Sequence, residues 1–279
     1  MIDMVKINVL IDNQPDNDAL LECEHGLSFY IETNNSKVLC DMGASGRFIT
    51  NASRMGIDLS KIDFAFVSHG HVDHTGGLPV YLKAFGEKKV YISERISKEM
   101  YFSSRRGSRR DISTERSVFE NHQDRLVLLK ESCWISSEIA IVHTDVQEHS
   151  RPFGNVFLSK EVHGEESLDD FGHEFALALL IKRGLVIVSS CSHGGAVNII
   201  KSCCRFTGMS CVYAFVGGLH LVDGEQTVPE VKVFLNEMKD EFPDIKIYTG
   251  HCTGDLAKRE LVNCSLDICI FKTGDTIDC

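Results

Sequence analysis

A chain of 279 residues with 43% hydrophobic content can bury a sizeable core, and its formal net charge of −11 argues against general nucleic-acid or anionic-membrane binding, which requires a basic face. No apolar run reaches the ~18 residues of a membrane span, and Met1-Ile2-Asp3-Met4-Val5-Lys6 lacks a basic region followed by an apolar signal stretch. The 11 cysteines are a high and odd count in a chain too well cored to need disulfide staples, so the expectation is free thiols in a reducing cytoplasm.

Val5-Lys6-Ile7-Asn8-Val9-Leu10-Ile11 alternates and is β-branched, which reads as a strand; the polar run 12–18 reads as a loop. Residues 26–33 and 37–40 read as paired strands around the turn Asn34-Asn35-Ser36, closed by Asp41-Met42-Gly43, with a helix near 45–55. Phe64-Ala65-Phe66-Val67 is a short apolar run, predicted to be a buried strand. It leads into Ser68-His69-Gly70-His71-Val72-Asp73-His74-Thr75-Gly76-Gly77, and a helix over 78–85 follows, ended by Gly86. A strand at Val90-Tyr91-Ile92 completes a β-loop-α-β unit, so this half is α/β.

Residues 94–122 change character. Arg95, Arg105, Arg106, Arg109, Arg110 and Arg116 crowd an otherwise acidic chain. A solvated insertion accounts for them; so does a lid whose guanidinium forks take an anionic, phosphate- or carboxylate-bearing substrate. Beyond it, 126–129, 139–142 and 156–158 read as short strands, and 175–181 with 185–188 as a hairpin. Helices over 196–203, 228–241 and 254–262 then alternate with strands over 212–216 and 245–249, and several of these strands end at histidines.

The loop after Val67 carries the chemistry. Three imidazoles and one carboxylate fall within six residues at a strand end. Alternate residues of such a turn point different ways, so His69 and His71 can face one point while Asp73 and His74 face another. Two metal ions sharing a hydroxide sit ~3.5–4 Å apart and need this arrangement. The competing reading is a solvated histidine-rich loop, which offers a fold nothing.

This H-x-H-x-D-H loop resembles the signature of the metallo-β-lactamase-fold superfamily of hydrolases. Further segments are similar to the branch named after dihydropterin ribofuranosyl-aminobenzene phosphate synthase: Glu24-His25-Gly26-Leu27-Ser28, Cys191-Ser192-His193-Gly194-Gly195-Ala196-Val197-Asn198, Gly217-Gly218-Leu219-His220-Leu221 and Gly250-His251-Cys252-Thr253-Gly254. The resemblance implies an α/β protein, an αββα sandwich forming one domain over 1–279, with the arginine-rich segment at about 94–122 as an insertion or lid. It implies that Asp41, in its D-x-G turn, steadies a metal-binding histidine through the far ring nitrogen; an ordinary helix cap is the alternative. It lets His25 and Ser28 face the site, and it matches His251 to the last histidine ligand.

By the same resemblance His193 follows the strand where the superfamily usually carries a bridging aspartate, a position that Cys191 occupies here. A thiolate there suits zinc and not magnesium or calcium, and simple packing of Cys191 is the alternative. His173 is the runner-up to His193, although the branch pattern stresses an acidic residue nearby, Glu174 or Asp170.

The expected enzyme is a metallo-hydrolase holding two ions, zinc first with manganese or iron as alternatives. His69, His71 and His193 would bind one and Asp73, His74 and His251 the other, and a metal-bound hydroxide would attack a small anionic, phosphorylated or pterin-like substrate. Asp73 and His220 would be catalytic, the first orienting the nucleophile or carrying its proton, the second meeting the developing anion. The alternatives are a synthase-type condensation by the same ions and a non-catalytic metabolite sensor; an iron-based oxygen reductase fits poorly because no flavin domain follows. No nucleic-acid or membrane partner is expected.

Overall fold

The computed structural model of the chain describes residues 2–279. The first half contains β1 (Lys6–Ile11), β2 (Ser28–Glu32), β3 (Lys37–Cys40), α1 (Arg47–Arg54), β4 (Phe64–Phe66), α2 (Val72–Thr75), α3 (Leu78–Ala84), β5 (Val90–Ser93), β6 (Met100–Ser103), β7 (Arg110–Asp111), α4 (Ser117–Asn121) and β8 (Leu126–Leu129). The second contains β9 (Cys133–Trp134), β10 (Ile139–His143), β11 (Leu158–Val162), β12 (Glu165–Leu168), β13 (Phe175–Ile181), β14 (Gly184–Val188), α5 (Ala196–Thr207), β15 (Val212–Val216), α6 (Thr227–Glu241), β16 (Lys246–Thr249), α7 (Asp255–Leu261), β17 (Asp267–Ile270) and β18 (Thr276–Asp278).

Two seven-stranded sheets face each other, in the orders β18-β1-β2-β3-β4-β5-β8 and β17-β16-β15-β14-β13-β10-β9. Each is antiparallel toward its hairpins and parallel where helices cross over, from β3 to β8 and from β14 to β17. Strand alternation sorts the side chains. In β4, Phe64 and Phe66 enter the core between the sheets with Ile7, Phe29, Leu177 and Val188, whereas Ala65 and Val67 face the helix side with Phe48 and Leu82. The second sheet packs its outer face on α5, α6 and α7 through Ile187, Phe215, Ile200 and Met238. Helices outside and two sheets inside make the αββα sandwich of the metallo-β-lactamase type. A fully buried side chain such as Phe66 adds roughly 1.5–3 kcal/mol by leaving water, so three apolar layers hold the strand ends in place.

One expectation is corrected. Residues 156–158 do not form a strand: Phe153–Phe157 is a 3-10 turn and pairing starts at Leu158. The apolar run is misleading because Val156 is half exposed and Asn155 turns inward to bond His193. The arginine-rich segment 94–122 contributes β6 and β7, which join β11 and β12 in a separate four-stranded sheet. The C-terminal β17 and β18, unforeseen, complete the sheet edges, and Lys6 pairs with Asp278.

Candidate metal centre

The expected metal ligands, with Asp41, Cys191 and His220, lie beyond the carboxyl ends of strands that pair in parallel, where open α/β sheets collect their ligands. Asp41 follows β3, His69 to His74 follow β4, Cys191 to His193 follow β14, His220 follows β15 and His251 follows β16. The backbone is strained there. Asp41, Ser192, His220 and His251 have φ between +49° and +60°, a left-handed conformation that non-glycine residues adopt at a cost of ~1–3 kcal/mol and that persists only where surroundings enforce it. The enforcing bonds are present: the Asp41 N–H reaches Phe66 O at 2.9 Å and the His251 N–H reaches Asp12 Oδ2 at 2.7 Å. Close packing also fixes the loop, since a Cβ on Gly76 or Gly77 would fall 2.2 Å from the carbonyl oxygens of Ala44 and Met42.

His69, His71 and His193 form one cluster, with ring centroids 4.6–5.0 Å apart. The far nitrogen of two of these rings is tied to a hydrogen-bond acceptor. His69 Nδ1 lies 2.8 Å from Ser68 Oγ, which itself donates to Asp41 Oδ2 at 2.7 Å. His193 Nδ1 lies 3.1 Å from Asn155 Oδ1, and Asn155 Nδ2 donates to the His193 carbonyl. These acceptors assign the proton to Nδ1 and leave the Nε2 lone pairs facing inward. Both Nε2 atoms are buried without a hydrogen-bond partner among the described residues. Burial, followed by neighbouring imidazoles, holds His69 and His193 well below the usual histidine range, so both are neutral and ready to donate to a cation.

The second cluster comprises His74, His251 and Asp73. His74 Nδ1 is bonded to Asp41 Oδ2 at 2.8 Å, and His251 Nδ1 lies 3.1 Å from Asn13 Oδ1. Their Nε2 atoms are 3.1 Å apart, with Asp73 Oδ2 3.7 and 3.5 Å away. Burial would raise the Asp73 carboxyl, but the His74 and His251 rings outweigh it and hold it well below the ordinary range. Burial would lower His251, and Asp73 outweighs that, raising it to about 9. The cluster therefore binds a proton tightly at the point where a cation would displace it.

Cys191 sits between the clusters. Its thiol joins His69 and His193 in one group whose ligand atoms lie within 4.8 Å of one another, and His74 and His251 in another; its Sγ is 3.2 Å from His74 Nε2. Unpartnered imidazole nitrogens, a thiol and a carboxylate converging from two sides are a donor set suited to transition-metal ions. The residues present fit such ions.

The centre opens into a cavity of about 510 Å³ lined by His71, Asp73, Cys191, His193, His220 and His251 and, across from them, Arg105, Arg106 and Arg110. The profile of the Metallo-beta-lactamase superfamily matches residues 21–180. The chain belongs to that superfamily of metal-dependent enzymes. Over 266 residues it is 29% identical to the 7,8-dihydropterin-6-methyl-4-(beta-D-ribofuranosyl)-aminobenzene-5′-phosphate synthase of Methanocaldococcus jannaschii, covering 91% of this chain and 89% of the relative. A solved structure described as a metal-dependent hydrolase of the beta-lactamase superfamily superposes with a TM-score of 0.80 at 26% identity, covering 98% of both chains. An exodeoxyribonuclease, WalJ of Streptococcus pneumoniae, is 31% identical over 96 residues, 34% of this chain and 35% of the relative.

Within this metallo-β-lactamase fold, Asp41 is no helix cap. Its side chain accepts from the Ser68 N–H, the Ser68 hydroxyl and His74 Nδ1, so one buried carboxylate steadies both clusters. His25 stacks on His251 at 5.6 Å and lies 3.5 Å from Asp73, while Ser28 bonds the Asp41 carbonyl. His173 does not join His193: its Nδ1 accepts the Gly70 N–H and its Nε2 meets Asp169 Oδ2 at 3.0 Å. Glu174 accepts the N–H groups of His193 and Gly194, and Asp170 pairs with Lys160 and Arg95. Asp169 was missed by the sequence reading; buried, it stands 3.8 Å from His71 Nε2. The signal in the sequence is the pair Asp169-Asp170 just before Phe171-Gly172-His173-Glu174.

Proposed function

We propose that the chain is a metal-dependent hydrolase of a small anionic, phosphorylated or pterin-like substrate. His69, His71 and His193 would hold one ion and Asp73, His74 and His251 the other, with Cys191 between them. The observation that carries this reading is the pair of buried, unpartnered Nε2 atoms of His69 and His193, each fixed in its donor tautomer by a bond at Nδ1. Bound there, zinc, or alternatively manganese or iron, supplies Lewis acidity and activates water at neutral pH.

The chain's own groups do the rest. Asp73, partly open to the cavity, orients the nucleophile or carries its proton. His220 offers a ring nitrogen to the anion that develops. Arg105, Arg106 and Arg110 have no ion pair among the described residues and face the cavity, whereas Arg95, Arg109 and Arg116 are engaged elsewhere. Free forks at the mouth suit a phosphate dianion. The 11 unpaired cysteines accord with work in a reducing compartment, the cytoplasm.

A synthase-type condensation is the second reading, favoured by the 91% coverage of the dihydropterin relative. Protein stripped of metal and reloaded with zinc is assayed on phosphate monoesters, diesters and lactones, and separately on an activated 6-methyl dihydropterin with ribofuranosyl-aminobenzene 5′-phosphate. Turnover of an ester or lactone that depends on zinc and on His69 supports hydrolysis. Joining of the two partners without turnover of any ester or lactone gives the reading to condensation.

A further inference from the structure

Cys252 is a second thiol at the centre, and no step above uses it. We propose that Cys191, Cys252 and His220 form an additional site for a soft divalent cation, adjoining the histidine clusters and sharing Cys191 with them.

The ligand atoms of these three residues lie within 4.8 Å of one another. Bonds of ~2.0–2.3 Å to zinc need ligand atoms roughly 4 Å apart or less, so small side-chain rotations bring all three onto one ion. His220 supplies an independent sign: it is 8% exposed, yet neither Nδ1 nor Nε2 has a partner among the described residues. A buried imidazole with both nitrogens unsatisfied is costly unless a ligand takes one of them. Its ring packs 4.2 Å from that of His193, so it stands against the first cluster without belonging to it.

The backbone is shaped around the second sulfur. A Cβ on Gly218 would fall 2.4 Å from Cys252 Sγ, so only glycine leaves the thiol its place. The His220 N–H donates to Cys252 Sγ at 3.2 Å, and Cys252 Sγ lies 3.6 Å from the Cys191 carbonyl. Both thiols line the cavity, so an ion can enter. Two thiols and one imidazole select thiophilic ions, zinc or cadmium, over magnesium or calcium. On binding, each thiol releases its proton to solvent and the sulfur lone pair forms the bond to the ion.

The site rests on the same strand ends as the proposed histidine centre, and cadmium distinguishes the two. Metal-free protein is titrated with cadmium, with ions counted by native mass spectrometry and sulfur-to-cadmium charge-transfer absorption recorded. Cys252→Ser is expected to bind one ion fewer than the parent and to lose roughly half of the absorption, one of two thiolates being gone. Cys203→Ser, which alters a thiol on the buried face of α5, is expected to change neither. The second measurement needs no variant at the site: stoichiometric cadmium should protect Cys252 from iodoacetamide, and should still do so in His69→Ala, where the first histidine cluster is broken. Equal ion counts and absorption in parent and Cys252→Ser, or equal labelling of Cys252 with and without cadmium, would overturn the proposal. Loss of protection in His69→Ala would also overturn it, because the thiols would then have no site of their own.

Discussion

The histidine clusters and the arginine-rich segment above them are both rich in functional side chains, but they are built in opposite ways. Around the clusters the outward ring nitrogens and the Asp41 carboxylate are held by hydrogen bonds, and the inward Nε2 atoms of His69, His71 and His193 are left without a partner among the described residues. Asp41 serves Ser68 and His74, Asn13 serves His251 and Asn155 serves His193. In the arginine-rich segment, β6 and β7 lie on a small outlying sheet and three of six arginines are unpaired. The first region pre-organises ligands before an ion arrives, and the second keeps its charges uncommitted for something that arrives from solvent. Mutations should therefore act through metal content in one region and through substrate discrimination in the other.

The largest effect is expected from the clusters themselves. His69→Ala or His74→Ala should abolish metal-dependent activity and remove bound metal while the protein stays folded, because three apolar layers hold the sheets independently of the centre. Metal analysis with thermal unfolding checks this; full metal occupancy in His69→Ala would remove that residue from the ligand set. Next comes Asp41→Asn, which keeps a side chain tolerant of the left-handed backbone but cannot accept as many hydrogen bonds. Metal affinity should fall by roughly 10–100-fold, as when partners of metal-binding histidines are lost, measured by competition with a chelator.

The arginines sharpen the contrast from the other side. Arg105 with Arg106, and separately Arg110, changed to Gln should lower kcat/KM for anionic substrates about 10–100-fold, corresponding to ~1.5–3 kcal/mol for a charge-assisted bond, and leave neutral substrates and metal content alone. Arg109→Gln should leave substrate choice unchanged. Arg109 lies flat over Phe102, 3.3 Å from the ring centroid, and pairs with Glu161 and Glu166, so it holds the outlying sheet together. If Arg109→Gln reproduced the Arg110→Gln profile, the division between free and committed arginines would fall.

That division marks where sequence reading stops. A histidine at a strand end is legible because the apolar run, the glycines and the motif lie next to one another, as in Phe64 to Gly77. Asp41 was legible as one of two possibilities, since a carboxylate in a D-x-G turn can steady a ligand or cap a helix. Which arginine turns inward was not legible: Arg109 and Arg110 are neighbours in β7 and its approach, and the pairing of β7 with β6 separates them. Asp169 was hidden because its partners, His71 and His173, come from opposite sheets. β17 and β18 escaped because edge strands with exposed alternate residues carry little apolar signal.

The smallest effect tests how the two regions are joined. Asp170 bonds Arg95, at the start of the arginine-rich segment, and Lys160 on β11, so it ties the outlying sheet to the loop that leads into β13. Partial burial would raise its carboxyl, but Lys160, the Gly172 N–H and Arg95 outweigh this and hold it at about 2, against an ordinary value of 3.8. A carboxylate depressed in the folded state contributes stability that is complete above its unfolded value and is lost as pH falls through its folded value. Stability from Asp170 should thus be present above pH 3.8 and fade on acidification toward about 2. The side chain is 53% exposed, so solvent screening limits the contribution to at most ~1 kcal/mol. Asp170→Asn should lower the melting temperature slightly near neutrality, with the gap to the parent closing as pH approaches 2, while metal content and kcat/KM stay level. A gap that persists unchanged to pH 2 would show that Asp170 acts by packing and not by charge. A fall in metal content would show that the outlying sheet, and not the buried acceptors alone, keeps the histidines in register.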